Sequence, residues 1–383
     1  MTRAGEGQLS LFPPDPAPDP LLCWLWLAGT LGAGSQRAGA VLDAFGGAQE
    51  AWEARDTDAF AAAAGPAAVQ RACLPDNTPE HYRAFARRCA ARRIRILPYD
   101  DPDYPLAFSR ISDMPLVLYC TGDPRWLNEP AAVGMVGTRK PTEYGLRAAE
   151  DIGRGLARAG AVIVSGLADG LDSEAHRAAV QADVPTVAFL GTAIDKTYPA
   201  SNAKLRTAIE KGGGAVCSEY PPGYSGRTTG TFLARNRLIA AQSEALCVAE
   251  ARTRSGTLNT VGHAERLGRP VLAVPGSIYS ALSEGTNELL RTHRAEPLCK
   301  AADALDILGI GAETAAPAQQ RFDPATVSAD AQAVYAVLKP TPQSIDALCA
   351  AASLPAGRVL AACTELELMG GAQAQPGRRY IAL

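Results

Sequence analysis

Between residues 131 and 276 the chain repeats one pattern: a short run of Val, Ala, Leu and Ile, a turn of Gly and hydroxyl residues, then a helical stretch in most of the gaps. The runs lie at 131–137, 161–166, 186–191, 214–219, 245–251 and 270–276. They are near-continuously apolar, which is the pattern of parallel strands buried on both faces. Right-handed crossovers then wind the sheet in two directions. The expected fold class is α/β, with a Rossmann-like, doubly wound, mostly parallel sheet over residues 97–310. Ligands of such sheets bind beyond the carboxyl ends of the strands.

The flanks read differently. Residues 1–19 are rich in Pro, Gly and Asp and are expected to be a disordered lead-in. Residues 20–96 are helical in pattern. Their apolar run Leu21–Ala28 is too short to cross a membrane and reads as a core helix. Within 31–47, Leu31-Gly32-Ala33-Gly34 followed by Ala38 fits either a helix-hairpin-helix turn approaching DNA phosphates or a glycine cap in a small bundle. Arg87, Arg88, Arg92, Arg93 and Arg95 read as a solvated helix face. Residues 311–330 are polar and Pro/Ala-rich, a linker. Residues 331–383 hold three short helical patterns, a Gly-Gly break and a hairpin-like end, which together make a winged-helix domain.

The net charge of −3 gives no global basic field, so any nucleic-acid binding must rest on a local patch. Nine Cys are scattered, with no CxxC pair and no Cys/His cluster at metal-ligand spacing. This suits reduced thiols in the cytoplasm and gives no metal site. The N-terminus has no basic region followed by an apolar core, so no signal peptide is expected.

The strand ends carry the candidate chemistry. The first run ends in Gly137-Thr138-Arg139-Lys140, a basic, hydroxyl-bearing turn before a helix that begins near Tyr144. Such a turn binds phosphate through backbone N–H groups and the helix dipole. Further turns of the same kind follow at Ser165-Gly166-Leu167, at Gly191-Thr192, at Ser218-Glu219 and at Ser255-Gly256. Several at one sheet edge suit an extended anion. Near them, Arg227, Thr229, Gly230 and Thr231 precede Arg235, Asn236 and Arg237 at a helix start. The arginines either grip phosphate or pair with acids such as Glu219 or Glu250. Phe232 either stacks on a base or fills the core. There is no GxGxxG after the first strand and no GxxxxGK[ST], which disfavours a dinucleotide cofactor and excludes a P-loop ATPase. No cofactor is expected. No nucleophile–base or paired-carboxylate constellation stands out, and His176 reads as a packing or surface residue.

The collinear set "YPLAFSRISDMPLVLYCTGD" (104–123), "MVGTRKPTEYG" (135–145), "SGLADGLDSEAH" (165–176), "LGTAIDKTYPASNAKL" (190–205), "SEYPPG" (218–223), "FLARNRLIAAQSEALCVAEARTRSGTLNT" (232–260) and "AVPGSIYSALSEGTNELLR" (273–291) resembles the DNA-processing protein A family, DprA, also called Smf. The tail, through "TPQSIDAL" and "VLAACTELELMG", resembles its winged helix, and the N-terminal part its helical SAM-like domain. The resemblance implies a non-enzyme that binds single-stranded DNA without strong sequence preference. It implies protection of incoming DNA in natural transformation, loading of the RecA recombinase, and a homodimer joined through the Rossmann domain. It places DNA phosphates at Gly137-Thr138-Arg139. The family often carries a Lys before the Arg-Asn-Arg helix, where this chain has Arg227-Thr228-Thr229-Gly230.

Two other classes compete. Phosphoribohydrolases of the LOG type, which cleave nucleoside monophosphates, share a related core but carry PGGxGTxxE. Here Gly256-Thr257 is followed by no Glu until Glu265, and Pro275-Gly276 by Ser277. A nucleotide-sensing regulator would use the winged helix on duplex DNA, yet the helix at 356–369 sets Glu365 and Glu367 beside Arg358, a poor charge pattern for a major groove.

Overall fold

A computed structural model describes residues 18–129, 131–226, 229–310, 324–339 and 341–382. The proposed lead-in up to residue 17, most of the proposed linker, and Arg227 and Thr228 lie outside the described residues. The helices are α1 (Pro20–Leu31), α2 (Ala38–Phe45), α3 (Ala48–Glu53), α4 (Asp58–Ala64), α5 (Pro66–Ala72) and α6 (Pro79–Ala91) in the N-terminal unit. The central unit adds α7 (Glu143–Arg158), α8 (Leu171–Gln181), α9 (Ala203–Lys211), α10 (Thr229–Gln242), α11 (Gly256–Arg266), α12 (Glu284–Arg291) and α13 (Ala301–Leu308). The C-terminal unit holds α14 (Ala329–Val337), α15 (Ile345–Ala352) and α16 (Ala356–Leu368). No single helix among the described residues is long and apolar enough to cross a membrane.

The six apolar runs form β3 (Ala132–Val136), β4 (Val162–Ser165), β5 (Thr186–Leu190), β6 (Ala215–Ser218), β7 (Ala245–Val248) and β8 (Val271–Ala273). Every residue in them is buried, as continuous apolar runs require. Three further strands complete the sheet: β1 (Arg95–Pro98), β2 (Val117–Gly122) and the two-residue β9 (Glu296–Pro297). The order is β1-β2-β6-β5-β4-β3-β7-β8-β9. The pairs β1–β2 and β2–β6 are antiparallel and the rest parallel. The chain leaves β3 towards β4, β5 and β6, then returns through α10 to β7 on the other side of β3. The topological switch point, where such sheets bind ligands, therefore lies between the ends of β3 and β7.

One apolar cluster runs from α1, with Trp24 and Trp26, through Leu97 and Phe108 to Phe189 and Leu238 on one face of the sheet. The N-terminal helices thus share a core with the central sheet. α1 is apolar all round and buried, the mark of a core helix. In the turn that follows it, Gly34 N donates to the Glu219 carboxylate at 2.9 Å. The opposite face of the sheet is covered by α7, α8 and α13 around Ile152, Leu156 and Leu272.

The C-terminal unit is a three-helix winged helix with its own core around Val334, Leu348, Val359 and Leu366. Val327 joins that core and Ser328 caps α14, so packed structure begins before residue 331. Its sheet comprises β10 (Gln343–Ser344), β11 (Ala372–Gln375) and β12 (Arg379–Ala382) in the order β10-β12-β11. The tip of the β11–β12 hairpin docks on the N-terminal unit. Gly377 N donates to Asp43 Oδ1 at 3.0 Å, Arg379 Nε to Gly46 O at 3.0 Å, and Tyr99 Oη to Pro376 O at 3.1 Å.

Candidate functional site

β3 ends at Val136, and the next residue has no room for a side chain. A Cβ on Gly137 would lie 2.3 Å from Leu171 Cδ1. Gly170 enters α8 at φ +79°, which favours glycine. The turn is clamped from both sides: Leu171 N donates to Thr138 O at 3.2 Å and Thr138 N to Glu250 O at 2.9 Å. Lys140 N donates to Thr138 Oγ1 at 3.3 Å. Thr142 caps α7 by accepting from Gly145 N at 3.1 Å. The buried Glu250 carboxylate then accepts from Thr142 N at 2.9 Å and from Thr142 Oγ1 at 2.5 Å. The protein thus supplies its own anion at the N-terminus of α7, and the N–H groups of residues 138 and 140 bond inward. What the turn turns outward is the pair of exposed cations, Arg139 and Lys140.

Beside the turn lies a cleft of about 500 Å³, bounded by Gly137–Arg139, the start of α8, Tyr198, and the first turns of α10 and α11. Of the sequence-predicted residues it gathers Gly137, Thr138, Arg139, Thr229, Phe232, Arg235, Asn236, Ser255 and Gly256. Arg139 Cζ sits 5.3 Å from the centroid of the Phe232 ring, a cation–π distance. The Tyr198 ring lies 5.5 Å from the Phe232 ring, so a guanidinium and two aromatic rings line the cleft together. Ser255 caps α11 without a side-chain bond to the helix, and its Oγ is buried with no hydrogen-bond partner among the described residues. A partly positive helix terminus therefore borders the cleft.

The floor is neutral. Arg235 is 4% exposed; its Nη1 donates to Gly166 O at 2.6 Å and also to Phe189 O, and its Nη2 lies 3.9 Å from Asp172 Oδ2. Burial pushes the Asp172 carboxyl up, against the pull of Arg235 and Arg139. Burial likewise pushes the Arg235 guanidinium down, against the pull of Asp172. Asn236 Nδ2 donates to Gly256 O and Asn259 Oδ1, both at 3.2 Å, and so ties α10 to α11.

The remaining predicted residues lie elsewhere. Ser165 is fully buried and its Oγ donates to Met135 O at 2.5 Å. Gly166 offers its carbonyl to Arg235, and the buried Leu167 its carbonyl to Asn202 at 3.0 Å. Gly230 is exposed and Thr231 is buried at the start of α10. Arg237 is 1% exposed and bonds inside the protein, to Asp113 and Glu219 at 2.9 Å each. It is Arg237 that pairs with Glu219, while Arg235 takes Asp172 and Glu250 takes Thr142. His176 is fully buried, with Nδ1 2.8 Å from Thr186 Oγ1.

Tyr198 in the cleft was not foreseen, and the loop that leads to Ser255 carries two further arginines, Arg252 and Arg254. The arginines are exposed in the loop between β7 and α11. Their spacing in "EARTRSG", directly before the recognised Ser255-Gly256 turn, was the available signal. None of Arg139, Lys140, Arg252 and Arg254 makes an ion pair among the described residues. A separate cavity of about 540 Å³ lies between the N-terminal helices and the sheet, with largely apolar walls such as Leu25, Tyr82 and Leu116.

Comparison with known proteins agrees with this architecture. Residues 95–309 match the DNA recombination-mediator protein A family, and residues 314–378 the DprA winged helix domain. A putative DNA processing protein DprA of Mycobacterium tuberculosis is 38% identical over 302 residues, covering 75% of this chain and 77% of that protein. The crystal structure of DprA from Streptococcus pneumoniae superposes with a TM-score of 0.60 at 32% identity, over 76% of this chain and 98% of that one. A structure of DNA processing protein A from Helicobacter pylori, described for its single-stranded DNA binding mode, gives a TM-score of 0.51 at 33% identity, over 56% of this chain and 95% of that one. With its central unit matched over its whole sheet, the chain belongs to the DNA recombination-mediator protein A family.

Proposed function

We propose that the protein binds single-stranded DNA in the cleft beside the Gly137–Lys140 turn, and that it does so as a recombination mediator without catalysing a reaction. The observation that carries this is Arg139 poised over Phe232 at the cleft wall, with Lys140 next to it in the turn and Arg252 and Arg254 in the loop before Ser255, all exposed and without an ion pair among the described residues. Cations track a backbone and aromatic rings take bases regardless of sequence, which is how single strands are held. The Helicobacter pylori relative studied for single-stranded DNA binding supports the same reading.

Binding rather than catalysis fits the floor of the cleft. Its one carboxylate among the described residues, Asp172, is buried against Arg235, and Glu265, the first Glu after Gly256-Thr257, pairs with Arg294 at 2.7 Å. The family resemblance extends the proposal to protection of incoming DNA in transformation, loading of RecA, and a homodimer through the sheet domain. A cytoplasmic location suits the nine free cysteines, among them Cys120 and Cys217, which face each other across β2 and β6.

The test is a competition. A labelled oligo-dT bound to the protein is challenged with unlabelled duplex of equal length or unlabelled oligo-dT. The proposal expects displacement by the single strand at far lower concentration. Equal displacement by the duplex, or release of free base from nucleoside monophosphates by the protein, overturns it.

A further inference from the structure

The Gly137–Lys140 turn has a second flank. A cleft of about 450 Å³ lies between the first turn of α7 and the loop that follows β8. Thr142, Tyr144 and Glu250 form one wall, and Ser277, Ser280 and Ser283 belong to the other. β8 is two strands from β3 in the sheet, so this loop leaves the same carboxyl edge about 10 Å from the turn. Thr138 borders the first cleft and Thr142 the second, and Glu250 bonds to both. The two clefts therefore flank one turn, residues 137–142, which carries Arg139 and Lys140.

The loop is built to present side chains. Asn287 clamps Gly276 with both ends of its amide, each at 3.1 Å. Ser280 N donates to Ser277 O and Ser283 N to Ser280 O, both at 3.0 Å. Tyr144 Oη donates to Pro275 O at 2.6 Å and so ties the loop to α7. Yet Ile278 is 80% exposed and Tyr279 is 93% exposed at its tip, and Tyr144 is 51% exposed beside it. A tightly hydrogen-bonded loop thus holds two large side chains in water at the same sheet edge as the cationic turn.

We propose that the tip of this loop, beside the second cleft, is a base-binding subsite for the same single strand, with a nucleobase stacked on Tyr279 and the cleft of Tyr144 and the loop serines next to it. The inference rests on the proposed function. The phosphate between the two clefts then falls to Arg139 and Lys140, whose charge a protein partner with an apolar face would leave unmatched. Stacking suits any base, because each has a π-face, and the hydroxyls of Ser277 and Ser280 can both donate and accept.

The test uses the full chain with Tyr279→Ala, Tyr279→Phe and Arg139→Ala, titrated against oligo-dT of increasing length. Oligonucleotides carrying 5-iodouracil at single positions, photocross-linked to the protein, identify the residue beside each base. Tyr279→Ala should weaken long oligonucleotides by about tenfold or more, the worth of one stacked base. It should leave the shortest Arg139-dependent oligonucleotide unchanged, Tyr279→Phe should bind as wild type, and Tyr279 should cross-link. Wild-type binding by Tyr279→Ala at every length, with Arg139→Ala weak, refutes the subsite and leaves the proposed function standing. A changed oligomeric state with unchanged DNA binding also refutes it and assigns the face to protein. Failure of the wild-type protein to bind any oligonucleotide removes the proposed function itself.

Discussion

Replacing Arg139 by Ala separates ligand binding from folding. The side chain is exposed, makes no ion pair among the described residues, and touches the protein mainly through the Phe232 ring. An exposed cation–π contact contributes about 0.5–1 kcal/mol, so the variant should keep its circular dichroism and lose little stability. A charge-assisted hydrogen bond to phosphate is worth about 1.5–3 kcal/mol, or roughly ten- to a hundredfold in Kd. Loss of one phosphate contact should also flatten the slope of log K against log salt by about 0.7, the single-strand value. Fluorescence anisotropy with labelled oligo-dT at several salt concentrations reads both quantities. An Ala change at Arg87 or Arg88 on α6 should do far less, since those cations act only at long range and are screened. A folded Arg139→Ala protein that binds oligo-dT as tightly as wild type, with the same salt slope, refutes the reasoning.

Other variants probe the same frame. Arg237→Ala strands the buried Glu219 and the half-buried Asp113 without their partner, so chemical denaturation should show a loss of about 3–5 kcal/mol, while the folded fraction binds oligo-dT normally. Arg235→Ala should also destabilise, because Asp172 and the carbonyls of Gly166 and Phe189 lose their donor, and a stable variant with selectively lost DNA binding would contradict the placement. Burial holds the His176 imidazole neutral, lowering its pKa from 6.5 to about 3. The unfolded chain takes up that proton first as pH falls below about 6.5, so stability declines by about 1.4 kcal/mol per unit, or about 2 kcal/mol by pH 5. Denaturation midpoints of His176→Gln should lack this part of the acid slope. Arg379→Ala combined with Asp43→Ala removes two of the wing's anchors, and small-angle scattering should then report a larger radius of gyration.

The repeating apolar runs were legible because burial on both faces leaves no alternation to misread, and all six became strands. β2 was harder: it lies ahead of the repeat, pairs antiparallel with β1 and β6, and its Val117–Cys120 core carries no following crossover helix as a signal. β9 has only two residues, too few for any periodicity. At the site, Arg139 was readable from its turn, but Arg235 and Arg237 look alike in sequence. Their fates are set by Asp172, Asp113 and Glu219, which arrive from separate parts of the chain. The α7 terminus shows the same limit. A basic, hydroxyl-bearing turn before a helix looks open to phosphate, yet Glu250, more than a hundred residues away, already bonds its cap.

The central claim is that exposed cations and aromatic rings at the carboxyl edge of the sheet hold a single strand. Its most direct measurement is a salt titration of binding to oligo-dT and to a duplex of equal length. The account predicts tighter binding of the single strand throughout, with Kd weakening along a straight log–log line whose slope counts several phosphates at about 0.7 each. Equal affinity for the two forms, or a Kd indifferent to salt, would contradict it.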